Sequence, residues 1–203
     1  GEIGGTYAVA EDMSAITEST LSCAVEGDSV NGVKIAVPDA ELATHVVVLV
    51  KGSKGPELRL VDLSSDGVEV SLQKNLDKSR SFYKVAFNNA QSSLLGEQGS
   101  GWESHVHIMD QAAVLFAFEQ VGGSQQALDM AKEYAMERYA FGRQIGSYQA
   151  IKHKLADMYV AVTLAKSNCY YGAWALSSES SELPLAAATS RVSATKAFQL
   201  CAK

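Results

Sequence analysis

The spacing of apolar residues changes once along this chain, at a break over Gly96–Gly101, and that single switch dictates two segregated parts. Before the break, short runs rich in β-branched or aromatic residues lie at Thr6–Val9, Thr20–Val25, His45–Val50, Leu58–Leu63, Val68–Leu72 and Tyr83–Phe87. Glu26-Gly-Asp-Ser, Asn31-Gly32, Lys51-Gly-Ser-Lys-Gly-Pro56 and Ser64-Ser-Asp-Gly67 separate them as turns. After the break the period is helical. Residues 103–140 hold an apolar centre, Ala112–Phe118, which predicts a long helix buried on most sides. In the next helix Ile151, Leu155, Met158, Tyr159 and Val162 recur at three- and four-residue spacing, with Lys152 and Lys154 on the other face. Ser177–Glu182 reads as a loop, and Pro184 suits the first turn of a third helix.

Strands followed by helices make an α+β chain. We expect a small antiparallel β barrel or sandwich over residues 1–100 and long antiparallel helices of a bundle over 101–203. At 203 residues there is ample length for a buried core. The net charge of -6 argues against nucleic acid or an anionic membrane surface as partner. Cys23, Cys169 and Cys201 form no metal pattern and read as buried thiols of a reducing cytoplasm. His105 and His107 are two apart and cannot share a helix face, so no metal pair is expected. The sequence shows no signal peptide and no apolar run of membrane-spanning length, and both ends read as cut rather than finished.

The stretch Glu137–Met158 carries the sharpest chemical signal. It joins two helical patterns through a glycine-bearing turn, with Arg138 and Phe141 at the turn and Gln149 opening the second helix. Free backbone N–H groups at a helix start, beside a guanidinium, complement phosphate. A plain helix–helix corner with a salt-bridged arginine would explain the same residues without any ligand.

In register and without a gap, Arg138, Phe141-Gly142, Gln144-Ile145-Gly146, Gln149 and Leu155-Ala-Asp-Met158 resemble the helix–turn–helix signature of the acyl-CoA dehydrogenases. Asn31-Gly-Val-Lys34 resembles that family's β-turn motif, and Leu95-Gly96 with Gly99-Ser-Gly-Trp102 its approach to the bundle. The resemblance implies a middle β domain and about three helices of a C-terminal four-helix bundle, without the N-terminal helical domain. It implies FAD as cofactor and α,β-desaturation of an acyl-CoA thioester as the reaction. By the same resemblance, the turn touches the ADP part of an FAD held mainly by a neighbouring subunit. Arg138 would meet the pyrophosphate, Phe141 would pack on the cofactor, Gln149 would hydrogen-bond, and Ile145 and Tyr148 would line the groove.

Elsewhere the chain departs from the family's pattern. Desaturation needs a carboxylate to take the α-proton and a flavin ring to take the β-hydride. Where some members carry that Glu, early in the first bundle helix, this chain has Ala112, followed by Ala113. Other members place the base further along, beyond Lys203. Asp110 and Glu119 flank the apolar centre, and a solvated carboxylate or a bundle salt bridge explains them more simply than a base. Ala10-Glu11-Asp12-Met-Ser14 keeps the Glu of a flavin-facing motif but not its hydroxyl, proline or glycine. Ala36 and Pro38 stand where the family has an aromatic and a Ser or Thr beside the flavin ring.

Contacts made to a partner are thus retained, and contacts made to the chain's own flavin are lost. We expect a cytoplasmic, non-catalytic subunit that lends FAD contacts to a catalytic acyl-CoA dehydrogenase subunit. The resemblance implies an α2β2 heteromer of the kind found in actinobacterial steroid side-chain degradation, with a flavoprotein as electron acceptor. Two alternatives stay open: an ordinary homotetrameric enzyme whose catalytic Glu lies beyond Lys203, and a flavin-free structural subunit.

Overall fold

β-Branched side chains that alternate in and out fold the first part of the chain into one sheet. In the computed structural model, which describes residues 4–203, its strands are β1 (Gly5–Ala8), β2 (Ala24–Glu26), β3 (Ser29–Pro38), β4 (His45–Gly52), β5 (Gly55–Asp62), β6 (Val68–Gln73) and β7 (Phe82–Leu95). From β4 the hydrogen-bonded ladder runs through β2, β3, β7 and β5 and returns to β4. The sheet therefore closes into a small barrel, which removes the free edges of the strands in the ring. Val30, Val37, Val46, Val48, Val50, Val61 and Val85 are fully buried inside it, with Phe87 and Ala90 beside them. Each such valine contributes about 1.5–3 kcal/mol by leaving water.

Three details differ from the expectation. Asn31-Gly32 is no turn but lies inside β3, at a register shift opposite β7. The side chain of Asn31 bonds both the backbone and the side chain of Asn89, so two polar residues fasten a bulge that composition alone reads as a corner. β7 continues well beyond Phe87, to Leu95, through polar residues that carry no strand signal. Finally, β1 lies parallel to β4, as does the Ala24↔Lys51 bridge, whereas hairpin signals report only antiparallel neighbours.

At the break, Gly101 opens the first long helix, α1 (Gly101–Glu137). A Cβ on Gly101 would stand 2.6 Å from the Glu57 backbone, so this glycine lets the helix start pack directly on β5. The chain divides into two compact units, one ending at Val106 inside α1 and the other running His107–Lys203.

In the second unit, α1 is followed by a short hairpin, β8 (Tyr139–Ala140) and β9 (Arg143–Gln144), and a 3₁₀ turn at Ile145–Ser147. Then come α2 (Gln149–Ser177) and α3 (Leu183–Cys201), the latter with Pro184 in its first turn. Small residues set their packing: Ala117, Ala165, Cys169, Ala194 and Ala197 form one buried cluster with Val121. Val114, Ala175, Leu183, Ala186 and Ala187 form another. Gly172 is buried so close to Ser190 and Val114 that an added methyl would meet the Ser190 Oγ at 2.5 Å. The apolar centre of α1 is not buried on most sides: Val114 and Ala117 are inside, but Leu115 and Phe116 face out. Tyr159 likewise leaves the expected stripe and is exposed. Packing α1 against α2 and α3 covers one side of a helix and leaves the other open. Among the described residues, no helix is long and apolar enough to cross a membrane.

Candidate functional site

The turn between α1 and α2 is a two-residue hairpin, with Tyr139 opposite Gln144 and Ala140 opposite Arg143. Its two central residues, Phe141 and Gly142, have φ of 52° and 78°, the sign that a type I′ turn demands. Glycine adopts this freely; a bulky aromatic does not, and holding Phe141 there costs about 1–2 kcal/mol. The strained residue is also 98% exposed, so its ring gains nothing from its own chain. Strain without return at home is what a contact made elsewhere looks like.

Arg138 directly follows α1, its N–H bonded to the Tyr134 carbonyl and its own carbonyl receiving the Ile145 N–H at 2.8 Å. Its side chain is exposed, with no ion pair to any described carboxylate. Tyr148 serves as N-cap of α2 but supplies no side-chain cap, and no acidic residue lies in that helix's first turn. Gln149 is exposed at the same helix start, and Ile145 is half-buried. The hydroxyl of Tyr148 donates to the Ala140 carbonyl at 2.9 Å. Over its ring, at 4.0 Å, sits the guanidinium of Arg143, a residue that the sequence alone does not single out. No spacing rule signals that stack, since the two residues share neither a helix turn nor a strand pair.

This geometry brings together an unpaired guanidinium, an outward aromatic, an amide and the open N–H groups of a 29-residue helix. Such a set fits a phosphate-bearing, aromatic ligand approached from outside the chain, which is the chemistry of the ADP part of FAD.

Positions that would face a flavin ring in the chain's own β unit are engaged otherwise. The carboxylate of Glu11 accepts the Lys34 ammonium at 2.7 Å, the Ser22 N–H and hydroxyl, and the Cys23 N–H. Burial works to raise the Glu11 pKa, but these four donors prevail and hold it at about 2. Lys34 itself is fully buried, also bonds the Val9 carbonyl, and is pushed down from its ordinary value by burial. So Glu11 and Lys34, each part of a motif resembling the family's, satisfy one another. Ala36 is exposed with φ of 51°, its N–H bonded to the Gln73 side chain at 2.7 Å. Pro38 has no N–H, and its carbonyl accepts the Thr6 hydroxyl. None of these offers a stacking face or a free donor to a flavin ring.

Ala112 and Ala113 are half-buried on α1 and carry only methyl groups. Asp110 lines a cleft of about 410 Å³ with His107, Gln111, Glu179 and Ser180, and Glu119 is exposed. His105 is buried, 2.9 Å from the Tyr7 hydroxyl through Nδ1 and with its ring tilted against that of Trp102, while His107 pairs with Gln111. Among the described residues, no group of three His, Cys, Asp or Glu could hold a metal ion. The three thiols are free and buried.

Residues 99–203 match the C-terminal domain of acyl-CoA dehydrogenases. The acyl-CoA dehydrogenase IpdE2 of Mycobacterium tuberculosis is 40% identical over 95 residues, 47% of this chain and 28% of that protein. Mitochondrial isovaleryl-CoA dehydrogenase of rice is 30% identical over 186 residues, 84% of this chain and 45% of that protein. The chain therefore spans less than half the length of either relative. Among solved structures, glutaryl-coenzyme A dehydrogenase in complex with glutaryl-CoA superposes with a TM-score of 0.90 at 24% identity, over 99% of this chain and 54% of that one. With its helical half matched throughout and its β half aligned to a full-length relative, the chain belongs to the acyl-CoA dehydrogenase family.

Proposed function

We propose that this chain is a non-catalytic subunit of an FAD-dependent acyl-CoA dehydrogenase, lending Arg138, Phe141, Ile145, Tyr148 and Gln149 to an FAD held mainly by a catalytic partner. The observation that carries this reading is Phe141: strained, almost wholly exposed, and in the same turn as Arg138, whose exposed side chain has no ion pair with a described carboxylate. Arg138 would bind the pyrophosphate by charge-assisted hydrogen bonds, Phe141 would cover the cofactor's aromatic part, and Gln149 would orient it. FAD, when bound, supplies the hydride acceptor; in this reading the partner abstracts the proton, and Ala112 carries only a methyl group where some relatives have the Glu. Residues 1–100 serve as a middle β domain and 101–203 as part of the helical bundle domain of a cytoplasmic α2β2 assembly. A flavoprotein takes the electrons. The substrate class, a steroid side-chain thioester, comes from the resemblance to the heteromeric enzymes.

FAD stoichiometry tests this. The full-length protein is purified alone and with its co-expressed partner, and flavin absorbance is set against native mass. About one FAD per heterodimer, with none on the chain alone, is the expected result. One FAD per chain in a homotetramer would overturn it and favour a self-sufficient dehydrogenase. Arg138→Ala is expected to strip FAD from the complex; full occupancy in that variant would sink the trans contact.

A further inference from the structure

Tyr148 stands where the hairpin meets the start of α2, and three of its bonds tie those pieces together. Its N–H donates to the Ile145 carbonyl at 3.1 Å, its hydroxyl reaches back to the Ala140 carbonyl at 2.9 Å, and its ring carries the Arg143 guanidinium at 4.0 Å. Ala140 and Arg143 are the two residues that flank Phe141-Gly142. One side chain therefore grips both ends of the strained two-residue turn. A type I′ turn with a bulky residue at its first central position does not persist unless its surroundings over-determine it. A Cβ on Gly142 would have no neighbour within 4 Å, so no side chain or backbone packs against the turn on that side. The flanks are held by the β8–β9 pairing, by the Ile145 N–H on the Arg138 carbonyl, and by the side chain of Tyr148.

We propose that Tyr148 is the positioning residue of this turn, clamping the hairpin onto the N-terminus of α2 so that Phe141 and Arg138 project together as one preformed surface. Arg143 belongs to the clamp rather than to the ligand contacts: its charge is laid over the Tyr148 ring. The benefit to a cofactor rests on the proposal that Arg138 and Phe141 contact FAD, and is one of preorganisation. This changes the role of Tyr148 from lining a groove to shaping it.

Amide hydrogen exchange on the full chain tests the clamp without any cofactor. The reporter is the Ile145 N–H, which donates to the Arg138 carbonyl. Tyr148→Ala is expected to speed its exchange about tenfold or more, with interior amides of α1 and α2 unchanged. Tyr148→Phe, which keeps the ring beneath Arg143, is expected to give a smaller effect. Unchanged exchange at Ile145 in Tyr148→Ala would overturn the proposal.

FAD affinity of the assembled complex then separates the two readings. Tyr148→Phe is expected to weaken FAD about fivefold, as the loss of one hydrogen bond would. Arg143→Leu is expected to weaken it too, but to add nothing once Tyr148 is Ala, because Arg143 acts through the ring. A full additional loss would make Arg143 a direct ligand contact and overturn its place in the clamp. If Arg138→Ala leaves FAD affinity unchanged, the cofactor reading fails, while the exchange result still decides the clamp. If Arg138→Ala loses FAD and the Tyr148 variants do not, positioning alone fails.

Discussion

Buried charge in the β unit lies in two ion pairs, Lys34–Glu11 and Arg59–Glu57, and its stability rests on pairing. Lys34 is wholly enclosed and Glu11 nearly so, with side-chain exposures of 0% and 11%. Removing one partner of such a pair leaves the other charged and without compensation, which costs about 3–5 kcal/mol. Glu11→Ala is therefore expected to destabilise the protein by that order, and Glu11→Ala with Lys34→Met by less than Glu11→Ala alone; urea unfolding measures both. The first pair also makes the protein sensitive to acid. His105 has its pKa lowered from 6.5, first by burial and then by the Lys34 charge. A histidine kept neutral in the fold takes up a proton more readily when unfolded, so its contribution is full above pH 6.5 and is lost as pH falls below it. Glu11, held at about 2 against 4.5, adds a second loss between those two values. The urea midpoint is expected to fall from about pH 7.5 to about pH 5, and to fall less in His105→Gln. Equal slopes for the two proteins would remove His105 as the cause.

Helix packing is where small side chains decide the outcome. Gly172 on α2 lies against Val114 on α1 and Ser190 on α3, and Ser190 spends its hydroxyl on the Asn168 and Ala186 carbonyls. Gly172→Ala forces that hydroxyl aside and overpacks the contact, at an expected cost of about 1–3 kcal/mol. Adding Ser190→Gly should recover part of it, and thermal melts of the three proteins measure the recovery. The helices themselves are legible in the sequence, because Gln149 and Pro184 mark their starts and a three-to-four spacing outlasts local noise. Strands are harder to read. Asn31-Gly32 carries the strongest turn signal in the β half, yet its bulge sits in mid-strand, since the partner that stabilises it is Asn89, far away in sequence. The turn at Arg138–Gln149 stands out by its residue types. Its internal clamp of Tyr148 and Arg143 does not, being a contact through space that no local pattern encodes.

At the scale of the whole molecule, each helix of the helical unit carries exposed apolar side chains. Leu115 and Phe116 on α1, Val160, Leu164, Tyr170 and Trp174 on α2, and Leu185 and Val192 on α3 are all exposed. Scattered singly, such residues need no explanation, but three helices each with an open apolar face exceed what a lone soluble unit commonly shows. A net charge of -6 opposes random clumping, and the proposed assembly would cover these faces with the partner subunit. With Phe141 and Arg138 both exposed, the proposed shared site means that assembly and cofactor binding should fail together. Leu164→Glu, 61% exposed and far in sequence from the turn, places a charge on the open face of α2 without touching the described core. It is expected to abolish association by native mass, keep the helical circular dichroism signal, and lower FAD occupancy to that of the chain alone. FAD retained by a dissociated Leu164→Glu chain would show that the cofactor is held within one subunit. Loss of FAD with the assembly intact would place Leu164 in the site itself rather than at the interface.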